Sequence, residues 1–290
     1  MNSKVFLKYN ARLGEGIHWD DTNKLIWFVD IHSKRLLSLS LKKEIKTYQL
    51  SQKIGWVLTI NNEKNLLLGL EQGVALFDPS KNGKILGWVK KFNKNPKLRL
   101  NDAKADRFGN IWGGTLNDKN ENSDDGFFYI LKNNGDFKIL EKNYNVPNGP
   151  VILHESNSIL HTDSLKRVIY EYKVDFKNFV ILEKNTFKQF IDQDGYPDGM
   201  TKDRNGNIFV AMWGNGIIKK LDPLGNEISS IQLPVDNVTN LCFCGRKLDR
   251  LFATSAKSKN NNELDGSIFE IINHETVGLN SYRAAPFKFS

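Results

Sequence analysis

Three short segments set an oxygen-bearing side chain between residues that fix the backbone around it: Gly14-Glu15-Gly16, Pro147-Asn148-Gly149 and Pro197-Asp198-Gly199. Proline and glycine at such places hold tight geometry and leave a polar head free to project. If the three heads meet, two carboxylates repel each other unless something compensates, and a divalent cation is the simplest compensation. Glu15, Asp198 and the Asn148 amide oxygen then offer three hard oxygen donors. Such a set suits Ca2+, Mg2+ or Mn2+, with water completing the shell, better than a soft-ligand zinc site. A second group is Arg99-Leu100-Asn101-Asp102. On an extended strand Arg99 and Asn101 share a face, where guanidinium and amide suit the hydroxyl or carboxylate oxygens of a polar small molecule. The plainer alternatives are turn capping by Asn and Asp, and a simple Arg99–Asp102 ion pair.

These segments lie far apart in the chain, so something regular must gather them. One pattern recurs: a polar turn between runs of alternating apolar residues, as in Asp20-Asp-Thr-Asn-Lys-Leu-Ile-Trp-Phe-Val29, Asp106-Arg-Phe-Gly-Asn-Ile-Trp112 and Asp203-Arg-Asn-Gly-Asn-Ile-Phe209. Weaker copies begin at Asn61, Glu155 and Gly245. Each copy reads as a hairpin, and helical periodicity is hard to find anywhere. The residues just upstream of the turns are Glu15, Trp56, Asn101, Asn148, Asp198 and Asn240, separated by 41, 45, 47, 50 and 42 positions. Units of about 40–50 residues with four strands' worth of alternation are what a propeller blade requires. The predicted fold is all-β: a six-bladed propeller of four-stranded blades, one domain over residues 1–290, around a central channel where the six positions converge. The stretch Val5-Phe6-Leu7-Lys8-Tyr9 is expected to give an outer strand to the last blade and so remove an exposed edge.

Composition narrows the function. The 290 residues carry 41 Lys+Arg against 33 Asp+Glu, a formal charge of +8, with 40% hydrophobic residues spread along the whole chain. Disorder is excluded as the main state, and no apolar run approaches the ~20 residues of a spanning helix. The lysines are dispersed, which argues for a solvated surface and against a nucleic-acid partner. Residues 1–10 lack a signal-peptide core, and Cys242 and Cys244 read as two buried thiols; the cytoplasm is the expected compartment. His18, His32, His154 and His161 show no metal-like i, i+4 pair. A nucleophile elbow and glycine-rich phosphate loops are absent.

Several motifs in order resemble the gluconolactonase/luciferin-regenerating-enzyme/regucalcin family. They are Leu13-Gly-Glu15-Gly-Ile-His-Trp19, Arg99-Leu-Asn101-Asp102-Ala-Lys-Ala-Asp106, Val146-Pro-Asn148-Gly149, Thr162-Asp163-Ser164, Tyr196-Pro-Asp198-Gly199 and Leu251-Phe-Ala-Thr254-Ser255-Ala256, spread from about Leu13 to Phe269. The resemblance implies a six-bladed propeller with one divalent metal ion (Ca2+, Mg2+, Mn2+ or Zn2+) in its channel, hydrolysing a small-molecule sugar lactone. It places the metal ligands on Glu15, Asn148 and Asp198 and the substrate contacts on Arg99 and Asn101, with Lys119 expected as a third contact where the family has a glutamate; Asp198 is further expected to act as the catalytic carboxylate that activates water. A family glutamate falls near Lys119, His161 stands where Tyr is commoner, and the late Thr-Ser-Cys motif becomes Thr239-Asn240-Leu241-Cys242. Other expectations are a monomer or weak homo-oligomer and no membrane partner. The rival readings are a metal-dependent phosphotriester or activated-ester hydrolase, and a non-catalytic metal- or sugar-binding propeller.

Overall fold

The alternating runs fold into antiparallel strands joined by the polar turns. A computed structural model describes residues 2–80, 82–92, 97–272 and 274–287; among them the only helical elements are single 3-10 turns at His154–Ser156 and Asp192–Asp194. After β1 (Asn2–Leu7), the first sheet holds β2 (Gly14–Asp20), β3 (Leu25–Asp30), β4 (Arg35–Ser40) and β5 (Ile45–Gln49). The second holds β6 (Ile54–Thr59), β7 (Leu66–Leu70), β8 (Gly73–Asp78) and β9 (Lys84–Lys91). The third holds β10 (Leu98–Ala105), β11 (Ile111–Asn117), β12 (Gly126–Leu131) and β13 (Phe137–Tyr144). The fourth holds β14 (Pro147–Leu153), β15 (Ser158–Asp163), β16 (Val168–Asp175) and β17 (Val180–Gln189). The other strands are β18 (Tyr196–Lys202), β19 (Ile208–Trp213), β20 (Ile217–Leu221), β21 (Glu227–Gln232), β22 (Asn237–Cys244), β23 (Arg250–Ala256) and β24 (Ile268–Ile272).

The expectation of six separate four-stranded blades is corrected by the hydrogen bonding. Four discrete four-stranded blades are present, and the remaining eight strands form one continuous sheet, β1-β24-β23-β22-β19-β20-β21, with β18 paired to β19. The fusion point is a bridge between Trp213 and Asn237. Repeat spacing reports the strands within each unit and carries no information about lateral pairing between neighbouring units. The fold is therefore all-β and propeller-like, with four free blades and one double-width sheet. β1 does pair with β24, Val5 opposite Phe269, as the N-terminal pattern suggests.

The recurring Asp-x-x-Gly-Asn turn has a local cause. Asp106 Oδ1 accepts from the backbone N–H of Phe108 (2.8 Å) and Asn110 (3.0 Å), while Oδ2 accepts from the Asn110 amide (2.8 Å) and the Trp112 indole (2.9 Å). Asp203 repeats the arrangement on Asn205 and Asn207. Gly109 and Gly206 sit at φ +81° and +83°, where a side chain is strained. Burial falls from the axis outward: every residue of β2 is buried, while β5 and β21 each bury one. The apolar faces close between sheets, as where Trp27, Leu36 and Val29 meet Ile54, Val57 and Leu68.

The last described segment, residues 274–287, crosses the far end of the molecule. Gly278 N–H donates to Leu248 O and Arg204 N–H to Val277 O, both at 2.8 Å. Ala284 bonds Thr59 O and Asn61 N–H, both at 2.9 Å, and Ala285 N–H donates to Gly109 O at 3.0 Å. Arg283 reaches Asp20 and Asp21. No helix among the described residues is long and apolar enough to cross a membrane.

Candidate active site

Six strands lie side by side in a closed ring: β2 beside β6, then β10, β14, β18 and β22, which returns to β2. Each breaks register with its outer partner at the same level. The shifts fall between Glu15 and His18, Ile54 and Trp56, Leu100 and Ala103, Asn148 and Val151, Pro197 and Met200, and Val238 and Leu241. A bulge re-aims side chains and interrupts pairing: Asn101, Asp102, Asp198 and Asn240 fall inside the shifts and leave the ladder, while Glu15 and Asn148 hold the last paired positions before them, opposite Val29 and Thr162. In β10 the shift brings both Asn101 and Asp102 inward, which strict alternation does not allow.

At the axis, Asn240 Nδ2 donates to Glu15 Oε2 and to Asp102 Oδ2, both at 3.0 Å. Its own Oδ1 is fixed by Leu241 N–H at 2.9 Å. Gly199 makes room for this amide, because a Cβ there would lie 2.3 Å from Asn240 Cγ. Asp102 Oδ1 accepts from Ala103 N–H, and Glu15 Oε2 also accepts from Gly16 N–H. Asp198 stands against Glu15, and its Oδ1 is buried without a hydrogen-bond partner. Burial, then the Asp102 charge, pushes Glu15 up to about 7. Burial likewise raises Asp102, and burial with Glu15 and Asp102 raises Asp198 well above the carboxylate range. Buried acids that repel one another, with an orphaned oxygen among them, form a site that a divalent cation would complete. Among the described residues no three His, Cys, Asp or Glu side chains group closely enough to hold a metal by themselves. Asn148 is buried at the equivalent level of β14, where its amide oxygen is a further donor of the kind such a cation takes.

Asn148 is linked to the second predicted group. Asn101 Nδ2 donates to Asn148 Oδ1 (2.7 Å) and to Pro147 O (2.8 Å), and Asn148 Nδ2 donates to Ser164 Oγ (3.0 Å). Arg99 Nη1 donates to Asn101 Oδ1 at 2.6 Å, so the two share a face as read from the sequence. Arg99 does not pair with Asp102. Its Nε donates to Asp118 Oδ1 at 2.8 Å, and Asp118 Oδ2 accepts from Lys53 Nζ at 2.5 Å. Despite burial, the Lys53 and Arg99 bonds hold Asp118 below its ordinary range.

Lys119 is exposed and, among the described residues, makes only a bond from its backbone N–H to Asn117 Oδ1, so the structure does not bring it to the other site residues. The neighbouring Asp118, not Lys119, is the residue of this turn that meets Arg99. Counting positions along the turn does not reveal which side chain faces Arg99. Asp102 and the bridging role of Asn240 were also missed; the adjacent polar pair Asn101-Asp102 is the signal that could have revealed a bulge. Trp56 packs into the core against Gly69, and His161 stacks on Phe128 at 4.2 Å, its ring nitrogens unpartnered. Cys242 and Cys244 are free and buried.

A sequence model of the SMP-30/Gluconolactonase/LRE-like region matches residues 13–257. The chain belongs to this family. That bears out the resemblance read from the motifs. Among relatives, the pentonolactonase XacC of Haloferax volcanii is 27% identical over 251 residues, covering 85% of this chain and 82% of that protein. Human regucalcin is 25% identical over 305 residues, covering 98% and 97%. In structure, a luciferin-regenerating enzyme aligns over 98% of this chain and 99% of its own with TM-score 0.90 at 23% identity. A calcium-binding regucalcin from Agrobacterium tumefaciens aligns over 96% of each chain with TM-score 0.89 at 22% identity. These two neighbours speak to the fold.

Proposed function

We propose that this family member is a lactonase that opens a sugar lactone (an aldonolactone) to the aldonic acid with one divalent metal ion held by Glu15, Asn148 and Asp198. The observation that carries the reading is the axial cluster, in which Glu15 and Asp198 are buried against each other with Asp198 Oδ1 unpartnered. Family membership and the pentonolactonase relative support the substrate class. When bound, the cation supplies positive charge where the carbonyl oxygen becomes negative.

The chain's own residues do the rest. Asp198 accepts a proton of the attacking water as the water oxygen bonds to the carbonyl carbon and the ring C–O bond breaks; the released alkoxide takes that proton from Asp198, which returns to the carboxylate, and the new carboxylic acid gives its own proton to solvent. A carboxylate within hydrogen-bond reach of the attacking water can serve as its general base. Arg99 offers the guanidinium N–H groups not bound to Asp118 and Asn101 to the sugar hydroxyls; Asn101, whose amide hydrogens are held by Pro147 O and Asn148 Oδ1, orients Arg99 and Asn148 beside the sugar, and Asp118 holds the guanidinium in place.

A pH-stat assay over five- and six-membered aldonolactones, on chelated protein with each of Ca2+, Mg2+, Mn2+ and Zn2+ added back, tests the reading. Acid release above the spontaneous rate, dependent on a cation and lost in Asp198→Ala while the variant stays folded, is expected. Undiminished turnover in folded Asp198→Ala overturns the assignment.

A further inference from the structure

Below the carboxylates, the same ring of strands encloses a second chamber of about 440 Å³. It lies downstream of the acidic level on each strand that lines it: His18 after Glu15, Lys104 after Asp102, Met200 after Asp198 and Leu241 after Asn240. Leu279 to Tyr282 of the terminal segment form another part of its wall, tied on both sides by the backbone bonds of Val277, Gly278 and Ala284. That segment lies beyond residues 13–257, the part matched to the family.

The lining is unbalanced in charge. Lys104, Lys202 and Arg204 face one acid, Glu155, which pairs with Lys202 at 3.4 Å. The side chains of Lys104 and Arg204 have no direct hydrogen bond or ion pair among the described residues. Lys104 is half-buried, and its charge is felt by Asp102 and Glu15 above it without a direct bond to either. His18 adds no positive charge, since burial and Lys104 push it down to about 3 and its Nε2 lies 3.0 Å from Thr59 Oγ1. The rest of the wall is largely apolar, including Leu58, Val151, Ile152, Leu241 and Leu248.

We propose that this chamber is a second binding site, for a small organic monoanion whose acidic group meets Lys104 and whose short hydrocarbon body lies on the apolar wall. A multiply charged, wholly polar ion satisfies the cations and leaves that wall wetted; a neutral apolar molecule leaves Lys104 unpaired. The proposal uses none of the residues assigned to turnover, so its failure and the failure of the lactonase reading are distinguishable by separate assays.

Calorimetric titration of the purified full chain with hexanoate, and in parallel with inorganic phosphate, decides it. Saturable 1:1 binding of hexanoate is expected, weakened roughly tenfold or more in Lys104→Met. Leu279→Trp, which fills the chamber from the exposed terminal segment, is expected to abolish binding and leave lactone turnover unchanged. If Lys104→Met fails to fold, Leu279→Trp alone decides. Absence of saturable hexanoate binding, unchanged affinity in the folded variants, or binding of phosphate without hexanoate overturns the proposal.

Discussion

Asn240 commits both amide hydrogens to carboxylates, Glu15 and Asp102, that otherwise repel across the axis. Asn240→Ala removes two hydrogen bonds to charged or partly charged acceptors, and urea denaturation is expected to show a loss of about 2–4 kcal/mol. Glu15 carries a second consequence. Its folded value, about 7, lies above its ordinary 4.5, so the folded state holds the proton more tightly than the unfolded chain. The stability tied to that proton is intact below pH 4.5 and is lost as pH rises through 7, on the order of 3 kcal/mol in all. Chelated protein should therefore melt at a lower temperature at pH 7.5 than at pH 5, and a divalent cation should reverse the drop. A flat calorimetric profile with chelator would count against the buried acid cluster. At this scale the buried places of Glu15, Asn148 and Asp198 were legible, because polar residues sit at strand starts beside glycine or proline, and the shared face of Arg99 and Asn101 was legible from their spacing by two. Asp118 was not, since the choice between it and Lys119 depends on which side chain the turn after β11 directs at Arg99.

Single strands owe their function to the register shifts that turn polar residues inward. Those shifts were invisible in a pattern of alternation, which assumes that each residue faces opposite to the last. Asn101-Asp102 shows the failure: alternation allows one of them inside, and the bulge between Leu100 and Ala103 brings both. The hairpin turns were legible because Asp106 and Asp203 each answer a glycine and an asparagine at fixed offsets. Asp106→Ala should cost about 2–4 kcal/mol by thermal or urea unfolding, chiefly because the buried Trp112 indole N–H loses its partner. Gly199→Ala tests the inner strands themselves. Its Cβ would overlap the Asn240 amide, so cation affinity measured by calorimetry is expected to fall at least about tenfold, more than overall stability does.

Across the molecule, unit count and strand pairing part company. Regular spacing revealed the repeats, but the bridge from Trp213 to Asn237 that merges eight strands into one sheet depends on how close two neighbours approach, which spacing does not encode. The terminal segment is equally hidden, since residues 274–287 lack alternation and gain their order from the strand ends they cross. Ala284→Pro removes the donor to Thr59 O at a fully buried position, and a loss of about 3 kcal/mol is expected, read as a lower melting temperature and faster proteolysis of the C-terminal end. The amide bridge between Glu15 and Asn240 joins residues 225 positions apart, and β1 finds its edge only on β24. Translation at about 5–20 residues per second leaves the opening strand waiting on the order of ten seconds or more for its mate. Throughout that interval the nascent chain keeps an open strand edge and an unassembled axial acid cluster, so chaperone cover during synthesis matters more for this protein than for one whose ends fold locally.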